Sequence, residues 1–356
     1  MPKPGISAER LLAVAADSPD MYPQRLDIAR KCTLVVGVTR SIYRTASFLD
    51  DRMLVPGITG SWVASEALNQ ATSSPTGVRP LHLILHTGHV GSTLLSRLLD
   101  ELGNTLGLRE PLPLRTLADA HNQLGENDSL ISAEEFTWLA DMHLRLWSRG
   151  YPDTPQCVLK ATSSACRFAP WLLHRRPDMR AVYLNLRAEP YLTTLLAGEN
   201  SPADLRGHGQ ERFRRLSSAA AGPVMPLHAL SLGELAALGW LTESMTRHAV
   251  ATQFPSQTLL LDFDALLANL AETMHQLAQH FAISCDARAI SALVGSPILQ
   301  RYSKAPEYTY GSEMRADILN NSRHRNADEI RAGMRWIENM TKLYPALADA
   351  AQTSGF

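Results

Sequence analysis

Short apolar runs that alternate with amphipathic helical patterns dominate the chain from Leu81 onward. Five of these runs have the length and composition of strands, and they span 81–86, 104–108, 157–161, 180–186 and 258–262. Helical periodicity fills the intervals between them. Because this alternation is typical of a parallel sheet flanked by helices, the pattern predicts an α/β fold.

Two segments do not follow this alternation of apolar runs and amphipathic helical patterns. Residues 1–75 carry helical patches at 8–16 and 24–34, and they are predicted to form a helical N-terminal extension. Residues 76–356 are predicted to form the α/β domain, with a mobile insertion in the polar, Arg-, Gly- and Ala-rich stretch around 199–232. Further helices are predicted at 233–252, 264–281 and Ala327–Leu343.

Composition and net charge limit the classes of molecule that the chain is expected to bind. The 356 residues are 45% hydrophobic, which is enough to bury a sizeable core. Lys and Arg together number 34 against 35 Asp and Glu, so the net charge is −1. Since this balance gives no general attraction to polyanions, we expect neither nucleic acid nor a membrane surface as a partner. Any anion site must be local.

The cysteines and the N-terminus bear on cellular location. The four cysteines, Cys32, Cys157, Cys166 and Cys285, form no CxxC pair and have no histidine at zinc-ligand spacing. We expect them to be buried thiols in a reducing compartment. The first 20 residues lack a signal region, and no apolar run approaches the roughly 20 residues of a membrane span. These features predict a cytoplasmic protein.

A phosphate-binding pattern lies between the first predicted strand and its helix. The strand at 81–86 is followed by a glycine-containing turn at 87–91 and by a helix that begins at Ser92. Backbone N–H groups and the helix dipole converge at such a junction and favour an anion. If Gly91 is the second glycine of a Walker A motif, the first glycine and the lysine are replaced by His86 and Ser92. The alternative is an ordinary strand-to-helix turn with Ser92 as N-cap.

Three stretches resemble the sulfotransferase family. They are HTGHVGSTLLSRLLDEL at 86–102, GLREP at 107–111 and VLKATSSACRFAPWLLHRRPDMRAVYLNLRAEP at 158–190. The resemblance implies a P-loop nucleoside-triphosphate-hydrolase-like architecture. It also implies transfer of a sulfuryl group from 3′-phosphoadenosine-5′-phosphosulfate (PAPS), an adenine nucleotide, to an unidentified hydroxyl or amine acceptor. The donor-binding residues that it implies are Gly88, His89, Val90, Gly91, Ser92, Thr93, Arg187 and Thr194.

The resemblance also implies three catalytic residues. Glu110 would act as the general base, His89 would hydrogen-bond the leaving phosphate or the transferring group, and Lys160 would supply a compact cation. Each has a structural alternative. Glu110 could form a salt bridge to Arg109 or Arg115, His89 could be a surface loop residue, and Lys160 could be a solvated lysine at a strand end.

The sequence departs from the family pattern at three places. His89 stands where the phosphate loop normally carries Lys or Arg. The turn after Arg187 is one residue longer than usual, so Thr193 or Thr194 must replace a serine that contacts the 3′-phosphate. The basic, glycine-rich C-terminal motif is absent, which leaves three basic residues as substitutes, namely Lys304, Arg323 and Arg325.

The remaining histidines and arginines are interpreted structurally. His82 and His86 fall on one face of the predicted strand, and we expect core histidines there and no metal site. The charge runs at 175–176 and 212–215 are expected to be solvated faces, although they could contact an anionic ligand.

Two other functions remain open from the sequence. The first is a small-molecule kinase that uses ATP with Mg²⁺, although Ser92 stands where the Walker lysine would be. The second is a nucleotide-binding or protein-interaction module that has lost catalysis.

Overall fold

The computed structural model describes residues 7–73, 77–220 and 225–356. The strands are β1 (Met21–Asp27), β2 (Cys32–Gly37), β3 (Gly60–Ala64), β4 (Leu81–His86), β5 (Leu106–Arg109), β6 (Cys157–Lys160), β7 (Ala181–Asn185) and β8 (Thr258–Asp262). The α-helices are α1 (Ala8–Ala15), α2 (Arg40–Thr45), α3 (Ser65–Ala71), α4 (Ser92–Gly103), α5 (Leu112–Gln123), α6 (Ala133–Trp147), α7 (Ala169–Arg175), α8 (Ala188–Leu196), α9 (Ser201–Ala220), α10 (Leu232–Gln253), α11 (Phe263–Ala268), α12 (Leu270–His280), α13 (Ala287–Val294), α14 (Ser312–Arg325), α15 (Ala327–Leu343) and α16 (Pro345–Thr353).

The larger of the two sheets in the described residues has five strands in the order β5-β6-β4-β7-β8. Strand β6 pairs in parallel with both β4 and β5, with Cys157 opposite Leu81 on one side and Leu106 on the other. Every residue of β4, β5, β6 and β7 is buried, which explains why these strands read as nearly continuous apolar runs. The predicted α/β fold with a parallel sheet flanked by helices is confirmed.

Contacts divide the described chain into two units. The first comprises the residues up to Leu85, Thr93–Ala181 and Ala271–Gly295, and the second comprises His86–Ser92, Val182–Leu270 and Ser296–Phe356. The turn after β4 thus belongs to the second unit, whereas the ends of β5 and β6 belong to the first. The boundary proposed at 75/76 and the division into an extension and one domain stay predictions.

The N-terminal region contains a three-stranded sheet, so the expectation that it is helical is wrong. Helix α1 confirms the first predicted patch, but 24–34 is wrong because β1 and β2 form an antiparallel hairpin there, with β3 alongside β2. Polar residues such as Gln24 conceal the strand pattern, yet Gln24 is buried and donates to Asp51 Oδ1 at 2.9 Å. Residues 1–6 and 74–76 of this region lie outside the described residues.

Two buried arginines hold a segment of the N-terminal region, residues 43–49, against α4 and β5 of the same unit. Arg109 on β5 donates to the Tyr43 and Ala46 carbonyl oxygens at 2.6 and 3.1 Å, and it is paired with Asp100. Arg97 on α4 donates to two further carbonyls of the segment, those of Arg44 and Thr45, at 3.1 and 3.0 Å. At the end of the segment, Leu49 N–H donates to the Arg109 carbonyl at 2.7 Å. Segment 43–49 is therefore fixed beside the end of β5.

The predicted insertion at 199–232 is mostly helical. A 20-residue helix, α9, occupies Ser201–Ala220, and the mobility of the insertion stays a prediction. Its Arg, Glu, Leu and Ala residues are good helix formers, and they outweigh Gly207 and Gly209, which suggested a loop. Residues 221–224 of the insertion lie outside the described residues.

The remaining helix predictions are confirmed, except that one predicted helix is divided into two. Helix α10 begins with a capping box between Ser231 and Glu234 and agrees with the predicted 233–252. The predicted 264–281 is split at Asn269 into α11 and α12, and α15 has the predicted bounds.

Two of the four cysteines differ from expectation. Cys157 and Cys166 are buried free thiols, but Cys32 and Cys285 are partly exposed, so the prediction of four buried thiols is wrong for these two. Among the helices of the described residues, none combines the length and apolarity that crossing a membrane requires.

Candidate functional site

The turn at 87–91, between β4 and α4, has the backbone geometry of an anion site. Gly88, His89 and Gly91 all adopt left-handed conformations, with φ of +97°, +53° and +76°. For His89, a residue with a Cβ, this conformation costs about 1–2 kcal/mol. Such turns direct successive N–H groups to one side, and α4 begins directly afterwards at Ser92. The expected strand, turn and helix N-terminus are therefore present in the predicted order.

Gly91 is required by packing as well as by its backbone. A Cβ at this position would lie 2.0 Å from Cε2 of Phe263, the first residue of α11. Phe263 is itself covered by the Arg315 guanidinium, 5.3 Å from the ring centroid, and Arg315 donates to Asp264 Oδ1 at 2.7 Å. The Phe263 ring therefore packs directly against the turn and leaves no room for a side chain at position 91.

Two buried hydroxyls at the edges of the turn have no hydrogen-bond partner within the described residues. They are Thr87 Oγ1 and Thr93 Oγ1, on residues that are 0% and 1% exposed. Buried hydroxyls are nearly always bonded, so these two are candidates to bond a group that the protein binds. Val90 and Ser92 are also buried. The residues at 87–93 thus fit a phosphate-like anion.

His89 is positioned by the turn but is not a permanent cation. Its side chain is 38% exposed, and Nε2 lies 3.7 Å from Asp204 Oδ2 on α9. The protein around the ring removes water and lowers the pKa of His89, and the positive charges of Lys304 and Arg212 add to this effect while Asp204 opposes it. At neutral pH, His89 therefore offers an N–H donor rather than the fixed charge of a lysine.

Arg187 lies two residues beyond β7 and occupies the N-cap position of α8 without a side-chain capping bond. Its side chain packs on Gly355, where a Cβ would lie 2.4 Å from Arg187 Cγ. The C-terminal residues around Gly355 are held by Asn185 Nδ2, which donates to the Ser354 carbonyl at 2.8 Å, and by Arg247 Nη1, which donates to the Thr353 carbonyl at 2.8 Å. The backbone at 353–355 is therefore held in place, and it contacts the aliphatic part of the exposed Arg187 side chain.

The two threonines expected near a 3′-phosphate are already engaged within α8. Thr194 Oγ1 donates to the Pro190 carbonyl at 2.7 Å. Thr193 is fully buried, and its hydroxyl donates to Glu189 Oε1 at 3.0 Å. A role for Thr194 in donor binding stays a prediction.

Glu110 and Lys160 form an ion pair in the first unit. Parallel pairing sets Arg109 opposite Lys160, and Glu110 N–H donates to the Lys160 carbonyl at 2.8 Å. The Lys160 ammonium donates to Glu110 Oε1, and Thr162 Oγ1 donates to Oε2 at 3.4 Å. The Lys160 side chain is 1% exposed, so it is not the solvated lysine of the structural alternative. Arg109 pairs with Asp100 instead, so the alternative pairing of Glu110 with Arg109 is wrong.

The backbone and surroundings of Glu110 are those of a shaped site. Glu110 has φ of +57°, a strained conformation of the kind that clusters at functional sites. The Phe48 ring centroid lies 5.9 Å from Lys160 Nζ, and the Arg52 guanidinium stacks 3.4 Å from that ring. The Glu110 carboxylate contributes to a raised pKa of Arg52, behind the larger effect of Asp50. Sequence reasoning missed Phe48 and Arg52, because only the fold of 43–53 brings them here.

The strand histidines have structural surroundings. His82 stacks on Phe281 with 5.0 Å between ring centroids, and its Nδ1 accepts from Arg180 N–H at 3.2 Å. Burial, reinforced by His280 and Arg180, lowers the pKa of His82 to about 4. His86 Nδ1 accepts from Gly88 N–H at 3.0 Å. Across residues 7–73, 77–220 and 225–356, no cluster of three His, Cys, Asp or Glu side chains suits a metal ion.

The arginine run at 212–215 is only partly a solvated face. Arg214 is exposed as expected, but Arg212 is 8% exposed, and Arg215 donates to the buried Glu243 at 3.0 Å. The helical spacing of Leu205, Arg212 and Leu216 places all three on the buried stripe of α9. This spacing was the available signal for Arg212.

Comparisons with known proteins give a likeness to solved structures only. No protein-family model matches the chain. No curated protein matches it either. Sulfotransferase STF9 from Mycobacterium avium matches with a TM-score of 0.40 and 14% identity, covering 91% of this chain and 92% of that one. Sulfotransferase STF1 from Mycobacterium tuberculosis H37Rv matches with a TM-score of 0.38 and 16% identity, covering 74% and 82%.

A third match is mouse sulfotransferase SULT7A1 complexed with PAP, with a TM-score of 0.38 and 9% identity over 77% of this chain and 88% of that one. All three are sulfotransferases, as is the family that the stretches at 86–102 and 158–190 resemble. Because each TM-score lies below 0.5, the likeness by itself assigns neither an activity nor a ligand to this chain.

Proposed function

We propose that this chain is a sulfotransferase that moves a sulfuryl group from PAPS to a hydroxyl or amine acceptor. The observation that carries the proposal is the turn at 87–91, with three left-handed residues directly before the N-terminus of α4. The buried unpartnered hydroxyls of Thr87 and Thr93 support it, because they fit a phosphate-like group. The motif resemblance at 86–102 and 158–190 gives that group its identity as the donor's phosphosulfate.

The proposed donor contacts divide between the two ends of the nucleotide. The backbone N–H groups of the turn and the hydroxyls of Ser92 and Thr93 would hold the 5′-phosphosulfate. Arg187 would bind the 3′-phosphate, since an exposed guanidinium at a strand end can make two parallel charge-assisted hydrogen bonds to it. Thr194 would assist only if its hydroxyl leaves the Pro190 carbonyl.

The proposed transfer uses Glu110 as the base. Glu110 would accept the proton of the acceptor hydroxyl or amine while that atom forms a bond to sulfur and the bond from sulfur to the 5′-phosphate oxygen breaks. Lys160 and His89 would donate hydrogen bonds to the developing charge on the leaving phosphate. The products are the sulfated acceptor and 3′-phosphoadenosine-5′-phosphate (PAP), with the proton on Glu110.

Calorimetric titration with PAP tests the proposal. We expect micromolar binding that weakens at least tenfold in Arg187→Ala, because charge-assisted bonds to the 3′-phosphate are lost. Arg176→Ala is the matched control, since Arg176 pairs with Asp178 on a turn between α7 and β7 and should leave PAP binding unchanged. Binding of ATP with Mg²⁺ but not of PAP would favour a kinase. Binding of neither nucleotide would overturn the proposal.

A further inference from the structure

Arg212 is a buried arginine on α9, in the same unit as the turn at 87–91. The residue is 8% exposed, and it lies on the buried stripe of the helix with Leu205 and Leu216. A Cβ on Gly239 of α10 would lie 3.1 Å from Arg212 Nη1. The guanidinium is therefore packed against α10 at a position where the facing helix has no side chain.

The guanidinium of Arg212 has no hydrogen bond or ion pair with any described residue, and its Nε is buried without a partner. Arg215, one turn further along α9, shows the usual arrangement instead. It donates to Glu243 Oε1 at 3.0 Å and to Thr246, and it lies 3.4 Å from Glu211 Oε1. A buried cation without a partner is costly, so the fold retains a charge that none of the described residues neutralises by direct contact.

The position of Arg212 relates it to the turn. Tyr191 is fully buried, and its hydroxyl donates to the Thr87 carbonyl at 3.3 Å. Burial raises the pKa of Tyr191 to about 12, and the charge of Arg212 is the strongest opposing influence. The same charge contributes to the lowered pKa of His89. The geometry agrees, because Asp204 of the same helix has its Oδ2 3.7 Å from His89 Nε2, and Arg212 follows Asp204 by about two helical turns.

We propose that Arg212 is an anion-binding residue of the turn at 87–91, where it supplies the fixed positive charge for a phosphate or phosphosulfate group. The loop itself carries His89 where a lysine or arginine would be expected, so it has no permanent charge of its own. A guanidinium provides that charge together with a planar pair of donors for two oxygens of one anion. The identity of the anion as the donor's phosphosulfate rests on the proposed function, whereas the anion site does not.

The test compares three variants by titration with PAP and, separately, with inorganic pyrophosphate. Arg212→Met keeps much of the volume and removes the charge, and we expect affinity to fall on the order of 10- to 100-fold. Arg212→Lys keeps the charge without the planar fork, and we expect an intermediate affinity. Arg215→Met is the matched control on the same helix, and we expect its affinity for both probes to stay within about twofold of the wild type.

Thermal unfolding of the same variants separates binding from structure. Arg212→Met should lower the Tm less than Arg215→Met, because Arg215 contacts the buried Glu243 directly and Arg212 does not. Wild-type affinity in Arg212→Met, or an equal loss in Arg215→Met, would overturn the inference. Binding of pyrophosphate without PAP would refute the proposed function, and the pyrophosphate series would then decide the inference alone. Binding of neither probe by the wild type would overturn both.

Discussion

Replacing Gly91 with alanine tests how closely the turn at 87–91 is packed. The φ of +76° places this residue in the left-handed region, where a side chain costs about 1–2 kcal/mol. The new Cβ would also lie 2.0 Å from Cε2 and 2.4 Å from Cζ of Phe263, and overpacking of this kind costs about 1–3 kcal/mol. We therefore expect Gly91→Ala to lower the free energy of unfolding by about 2–5 kcal/mol, with the packing contribution specific to Phe263.

Urea unfolding at neutral pH measures this loss, and Gly125→Ala is the matched control. Gly125 has φ of +89°, but no atom lies within 4 Å of the Cβ that alanine would add there, so only the backbone cost of about 1–2 kcal/mol should be observed. The variants Phe263→Leu and Gly91→Ala/Phe263→Leu complete a double-mutant cycle. If Gly91→Ala costs no more than Gly125→Ala, or if the cycle shows no coupling with Phe263, the steric argument is wrong.

Three further predictions concern ligand binding, turnover and acid stability. Gly355→Ala should displace Arg187 and lower the calorimetric affinity for PAP about tenfold. The affinity for ADP, which lacks a 3′-phosphate, should not change. Equal losses for both nucleotides would contradict the role of Arg187. Glu110→Gln should reduce sulfuryl transfer on the order of 10²- to 10⁴-fold with PAP affinity retained, and undiminished turnover would remove Glu110 as the base. Burial lowers the pKa of His143 to about 4 in the folded protein. Below about pH 6.5 the unfolded chain binds the proton first, so the free energy of unfolding falls by about 1.4 kcal/mol per pH unit toward pH 4. His143→Gln should reduce that slope in urea unfolding between pH 7 and 4.5, and an unchanged slope would assign the acid sensitivity to other groups such as His82.

The central strands were predictable because burial on both faces produces a simple pattern. β4 and β6 read as apolar runs bounded by turn residues, and the structure places both within one residue of the expected bounds. The hairpin of β1 and β2 was missed because its strands are stabilised by pairing and by buried polar contacts, such as that of Gln24 with Asp51, which no local periodicity reveals.

The sequence singled out Glu110 and Lys160 separately but did not predict the ion pair between them. Glu110 and Lys160 each follow from a strand end, yet their ion pair depends on the register between β5 and β6, which a single sequence does not specify. Arg212 illustrates the opposite error. The residues of a charged run are usually solvated. On α9, however, the helical period places Arg212 on the buried face and Arg214 on the exposed face.

The way in which Arg97 and Arg109 hold segment 43–49 has a consequence for how this protein can change. Both arginines bind main-chain carbonyl oxygens, which every amino acid supplies, so four of their contacts do not depend on the side chains at 43–46. The path of the chain therefore depends little on the side chains of Arg44, Thr45 and Ala46, whereas Tyr43 is buried and its hydroxyl donates to the Pro19 carbonyl at 2.6 Å. Because Phe48 belongs to this segment and lies near Lys160, its substitution can reshape the surroundings of the Glu110–Lys160 pair without dislodging the backbone that carries it.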